Sequence, residues 1–213
     1  MEKIMLSICL VMLAASLSAQ DARTITLNPP DLSRGLPVMK ALSARASATE
    51  FDTVALNLQD LSDLLWAANG VNRPESGKRT APSAMNARDI DVYVCMQKGT
   101  YLYNATKHVL ELIAEGDYRK LAAGKQDYVA IAPVICLLVS DISRFPNGDD
   151  SQRMVWAAED AGIVSQNISV FCASVDFSTR CRASMDKENL GDLLKLQDSQ
   201  HLMLNNPVSY KKD

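Results

Sequence analysis

The chain is poor in the groups that build metal or nucleophile centres. It has two histidines, and its five cysteines form no Cys-x-x-Cys pair. Structural zinc sites draw four Cys or His ligands from short paired motifs, so this spacing argues against one. A basic cluster is also missing: Lys and Arg are scattered and the net charge is −3. That removes the electrostatic footprint expected for nucleic acid or an anionic membrane, and leaves small molecules and protein partners. No internal repeat is visible. The apolar run near the start, Ile4 to Leu17, is shorter than the roughly 20 residues of a spanning helix.

That run has Lys3 before it and the small residues Ser16, Ser18 and Ala19 at its end, the layout of a secretory signal peptide over residues 1–20. Cleavage near Ala19 or Gln20 leaves roughly 190 residues, enough for one well-cored domain, residues 21–213, and thin for two. Cys9 inside the run is poorly placed for lipid attachment. The absence of paired arginines points to export of an unfolded chain, to the periplasm. Cys95, Cys136, Cys172 and Cys181 remain after cleavage, and an oxidising compartment allows a bridge among them without requiring one.

A leader with Asn28, Pro29 and Pro30 comes first, and a short helix is expected over Leu36–Ala44, ending near Arg45. Leu58, Leu61, Leu64, Leu65 and Ala68 recur at helical spacing, with Gly70 as the stop. Val71–Ser83 reads as an exposed, ligand-binding loop. Asp91–Met96, the turn Lys98-Gly99 and Thr100–Tyr103 predict a hairpin. Val109–Ile113 and Tyr118–Ala123 suit short helical pieces. Ala132–Ser140 is continuously apolar, as expected of a central strand covered on both faces. From Asp149 to Ala173 no proline interrupts a helix with apolar residues on nearly every face. Packing one side on the sheet and the other on a second subunit buries it, so homodimerisation is expected. A turn at Asp176–Thr179, a strand over Arg180–Ala183, an amphipathic helix over Asp186–Leu196 and a last strand over His201–Tyr210 complete the chain.

Three separated segments carry a resemblance that spans most of the mature chain. Arg45-Ala46-Ser47-Ala48-Thr49 is similar to an Arg-x-Ser-x-Arg/Lys signature placed after a helix, with Thr49 where a cation is usual. Leu64-Leu65-Trp66-Ala67-Ala68-Asn69-Gly70 with Arg79-Thr80-Ala81-Pro82-Ser83-Ala84 resembles the pairing of an L-L-W-A-A-x-G helix end with an R-T-x-P-S-A loop. Asp160-Ala161-Gly162-Ile163-Val164-Ser165-Gln166-Asn167-Ile168 resembles a D-x-G-x-x-x-Q-N-L long helix, followed by Asp176-Phe177-Ser178 where Gly-Leu-Gly is usual. These are the marks of the nitroreductase family, nearest its branch related to thiazole- and oxazole-forming dehydrogenases.

The resemblance implies an α+β fold: a central mixed or antiparallel sheet flanked by helices, with a long dimer-interface helix. It implies FMN as cofactor. Arg45 and Ser47 then hold the phosphate by charge-assisted bonds. The turn with Pro82, Ser83, Ala84 and Asn86 reaches a flavin bound mainly to the other subunit. Ala183 and Ser184 lie where a backbone N–H faces flavin N5, and Lys211 and Lys212 lie where the family supplies phosphate-binding cations. Little side-chain chemistry is needed, because the flavin accepts the hydride, so no Ser-His-Asp or Cys-His arrangement is required. The expected activity is FMN-dependent oxidoreduction of a small nitro, quinone or azoline-type substrate. Thr49 and Asp176-Phe177-Ser178 motivate the alternative, an exported dimeric binding or structural protein with a degenerate flavin site. A thiol redox protein built on Cys172 and Cys181 is a third reading.

Overall fold

The computed structural model describes residues 23–212. The expected signal segment therefore lies outside the described residues. Strands β1 (Thr24–Thr26), β4 (Ile90–Met96), β5 (Gly99–Asn104), β6 (Val109–Glu115), β7 (Val134–Asp141), β8 (Phe177–Thr179) and β9 (Gln200–Tyr210) form one sheet in the order β1-β6-β5-β4-β7-β9-β8. Every neighbouring pair is antiparallel. A separate ribbon pairs β2 (Val71–Arg73) with β3 (Lys78–Arg79). The helices are α1 (Val38–Ala44), α2 (Leu58–Asn69), α3 (Arg119–Ala123), α4 (Asp150–Ser174) and α5 (Lys187–Leu194).

Alternation along the central strands divides the interior into two cores. Val92 and Val94 of β4 and Val134, Cys136 and Leu138 of β7 face α2 and α4, meeting Leu64, Leu65, Val164 and Ile168. Tyr93, Cys95, Ile135, Leu137 and Val139 face the other way, against Ala122 and Ala123 of α3 and Leu190 and Leu194 of α5. The expected central strand and the expected α+β class are both present.

Local chemistry sets the helix ends. Asn57 accepts the Asp60 N–H at 2.9 Å to start α2. At its end Gly70 is needed for space: a Cβ there would lie 2.5 Å from the Trp66 side chain. Asp149 and Gln152 form a reciprocal capping box at the start of α4. The outer side of α4 is less apolar than its composition suggests, since Glu159 and Gln166 share the exposed stripe with Val155, Ala158 and Ile163.

Five expectations need correction. Val109–Ile113 is strand β6, because apolar pairs separated by Glu111 fit either period in so short a run, and pairing with β5 decides. Val71–Ser83 carries the β2–β3 ribbon. Asp176–Thr179 is β8 preceded by a single turn residue, whereas Arg180–Ala183 contributes only a bridge between Arg182 and Asn205. Thr24–Thr26, in the expected leader, forms an edge strand on β6.

Leu137 has no solvent exposure. Leu137→Ala is expected to lower the unfolding free energy by about 2–5 kcal/mol, the usual range for a buried leucine. Denaturant unfolding followed by far-UV circular dichroism measures it.

Candidate flavin site

The helix end and loop singled out in the sequence are joined physically. The Thr80 N–H is donated to Gly70 O at 2.8 Å and its hydroxyl to Trp66 O at 3.2 Å. Asn69 and Arg79 both donate to Ile90 O, at 2.9 and 3.1 Å, tying the loop to the start of β4. Burial lowers the Arg79 pKa from its ordinary value. The chain then enters a tight turn. Asn86 N–H is donated to Ser83 O at 3.0 Å, and Arg88 N–H to Ser83 Oγ at 2.8 Å. Ser83 thus closes the turn from behind and makes no side-chain cap for the following 3-10 turn.

Met85, Asn86 and Arg88 have φ of 51°, 54° and 51°. Left-handed backbone at non-glycine residues costs roughly 1–3 kcal/mol per residue and persists only where the surroundings over-determine it. Here the Ala84 N–H is donated to both carboxylate oxygens of Asp160 on α4, at 3.0 and 2.9 Å. Pro82, Met85 and Asn86 are exposed.

Behind this clamp lies a group the sequence did not reveal. Asp89 is fully buried, and its Oδ2 accepts the Ser140 hydroxyl at 2.5 Å. Its Oδ1 has no donor, and the Asp160 carboxyl is within hydrogen-bonding reach of Asp89. Burial pushes the Asp89 carboxyl up to about 7, and the Asp160 carboxyl adds to the rise. Asp160 belonged to the long-helix match, but a partner 71 positions away had no periodic signal to announce it.

Arg45 and Ser47 lie elsewhere. Arg45 closes α1, donating its N–H to Ala41 O at 2.9 Å, and the chain then runs beside β8, where Ala48 N–H meets Thr179 O at 2.8 Å. Both side chains are exposed, and among the described residues neither makes a hydrogen bond or ion pair. Lys211 and Lys212 reach the same edge at the end of β9, but each already meets a carboxylate: Lys211 pairs with Asp176 at 3.0 Å and Lys212 with Glu50 at 3.3 Å. Asp176 has φ 59°, so it supplies the left-handed residue that a glycine would otherwise provide.

Ala183 and Ser184 are exposed on a loop held by Arg182. The Arg182 side chain is buried and donates to Gln126, Asn205 and the carbonyls of Ala122 and Ala123 at 2.8–3.3 Å. Asn205 in turn donates to Ser184 O at 3.1 Å. Beside the loop, a groove of about 670 Å³ is lined by Leu121, Gly124, Lys125, Ser184, Met185 and Lys187.

The chain therefore brings Arg45, Ser47, Lys211 and Lys212 to a common edge and carries Ala183–Ser184 on a loop bridged to β9. It does not bring Pro82–Asn86 there. That turn hangs from Asp160, whereas Cys172, twelve residues along α4, is the level of Thr179, a separation of about 18 Å at 1.5 Å per residue. All four described cysteines are free, and Cys172 is buried with its thiol pushed well above the ordinary range by burial. The thiol redox reading has no support in this geometry.

Residues 42–210 match the model of the nitroreductase family. A nitroreductase-family structure from Ralstonia eutropha is 36% identical, with a TM-score of 0.84 over 90% of each chain. Two more distant likenesses are of fold alone. A chain of the Escherichia coli microcin synthetase McbBCD complex has 16% identity and a TM-score of 0.70, over 89% of this chain and 79% of that one. A Staphylococcus epidermidis protein named as an NAD(P)H:FMN oxidoreductase has 12% identity and a TM-score of 0.64, over 87% and 92%. With the antiparallel sheet between two helical layers, the long α4 and these matches, the chain belongs to the nitroreductase family.

Proposed function

We propose that the protein is an FMN-dependent oxidoreductase, working as a homodimer on a small nitro, quinone or azoline-type substrate. The observation that carries this reading is the separation of two sets of unspent groups. Arg45 and Ser47 present donors without partners among the described residues toward one end of α4, and the strained turn exposes Pro82, Met85 and Asn86 toward the other. A second copy packed on α4 in reverse direction brings the two together. The surface available for it includes Val38, Met39 and Leu42 of α1, 64%, 74% and 47% exposed, with Val155 and Ile163 of α4.

The residues present fit the cofactor. A guanidinium and a hydroxyl without other partners among the described residues suit a phosphate dianion, and Asp176 supplies the positive φ of the first of the two missing glycines. When bound, FMN supplies hydride acceptance and donation. Arg45 and Ser47 hold its phosphate, with Lys211 and Lys212 adding charge where Thr49 does not. The backbone at Ala183–Ser184 would meet the ring edge, and Asn86 with the turn around Ser83 and Ala84 would cover the ring from the partner subunit and exclude water. The name of the Staphylococcus epidermidis neighbour supports this cofactor. Export to the periplasm, which we propose from residues 1–20, favours a reductant other than NAD(P)H. The alternative, a binding protein with a degenerate flavin site, is weakened by the left-handed Asp176.

Titration of apoprotein with FMN, followed by flavin fluorescence, tests the reading. Arg45→Ala should raise the dissociation constant about tenfold or more, since a charge-assisted contact contributes roughly 1.5–3 kcal/mol. Lys211→Ala, which removes an already paired exposed cation, should change it by only about threefold. Absence of saturable binding at about 50 µM FMN, a generous bound for a resident cofactor, returns the protein to the binding-protein reading.

Ile163→Glu should shift the sedimentation profile from dimer to monomer at micromolar protein, and a monomeric wild type contradicts the shared site. N-terminal sequencing of protein from its native cell should begin near Asp21, and an intact Met1 restores NAD(P)H as the natural donor.

A further inference from the structure

The buried carboxyl pair behind the turn has no part in the chemistry above, yet its placement gives it one. Asp89 stands at the entry to β4 with one oxygen satisfied by Ser140 and the other without any donor. Facing it is Asp160, 3% exposed, both of whose oxygens accept the single Ala84 N–H. Two carboxylates within hydrogen-bonding reach away from water cannot comfortably both carry charge, and one proton shared between them relieves the repulsion.

Among the described residues, the cations facing the pair already have partners. Arg144, which faces Asp89 from the segment after β7, is held by Asp91 at 2.5 Å and Asp141 at 3.4 Å. Arg79 and Arg88 give their guanidinium groups to the carbonyls of Ile90 and Gly77. On α4 the neighbouring Glu159 is exposed and adds only negative charge.

We propose that Asp89 is a positioning residue: through a proton shared with Asp160 it holds the Ala84 clamp, and so keeps the Pro82–Asn86 turn in its strained, cofactor-facing shape. The proposal rests on the flavin reading above for its consequence, though not for its geometry. Loss of the shared proton leaves two repelling carboxylates, Asp160 moves off, and the left-handed residues Met85, Asn86 and Arg88 relax. Because burial, with the Asp160 carboxyl beside it, raises the Asp89 pKa to about 7, the turn is held at acidic pH and loosened through neutrality. The sign for stability follows from proton binding: the native state keeps a proton that unfolded Asp89 releases, so stability falls as pH rises from about 4 to about 7.

Asp89→Asn offers an amide donor to Asp160 and a carbonyl to Ser140, without titration. The test compares wild type and Asp89→Asn between pH 5.5 and 8.5 by two readouts: amide hydrogen exchange of residues 83–88 in apoprotein, corrected for intrinsic rates, and the FMN dissociation constant. Asp160→Asn, which reverses the donor, is the second variant should the first fail to fold. In wild type, exchange in the turn and the dissociation constant should each rise by about fivefold or more from the acidic to the alkaline end, the lower range of ordinary coupling between sites. Either Asn variant should keep the acidic behaviour throughout. Both variants titrate the flavin phosphate as wild type does, so parallel profiles in wild type and variant overturn the proposal. A variant-sensitive exchange profile with no FMN binding leaves the carboxyl clamp standing and removes the flavin reading instead.

Discussion

Burial of β7 on both faces is the constraint from which the remaining architecture follows. Val134, Cys136 and Leu138 need cover on one side, and Ile135, Leu137 and Val139 on the other. Both sides of the sheet centre are closed by helices. Polar groups with spare donors are left at the edges and helix ends, where Arg45 and the turn at Ser83 are found. The position of the candidate site is thus a consequence of how the core is filled.

Much of this was legible in the chain itself. The continuous apolar run over β7, the helical recurrence in α2 and the proline-free stretch of α4 each have one strong physical reading, and the structure follows it. Where two readings fit equally, only long-range pairing decides. Val109–Glu115 became a strand because β5 lies beside it, and the bridge between Arg182 and Asn205 depends on a strand twenty-three residues further on. The site divides in the same way. Segments that match as contiguous motifs were visible, and their junction at Thr80 with Gly70 and Trp66 accounts for why helix end and loop occur together. The Asp89–Ser140–Asp160 group was invisible, since it is assembled from three elements with no common spacing.

The two departures from the family pattern resolve differently. Asp176 takes the left-handed backbone that a glycine would allow without strain. Thr49 adds no charge, but Lys212, paired with the adjacent Glu50, brings a cation to the same edge by way of β9.

That the cofactor site is shared between subunits is the central claim, and subunit mixing tests it most directly. Arg45→Ala chains lack the phosphate donor, and Asn86→Trp chains carry a bulky side chain that blocks the partner's site. With free flavin held near the wild-type dissociation constant, each homodimer alone should bind little flavin. Unfolded together in equal amounts and refolded, half of the dimers should be mixed, each with one intact site, restoring about a quarter of the wild-type flavin stoichiometry. Restoration to that level is the predicted result; a mixture that binds no more flavin than the two variants measured separately contradicts a shared site.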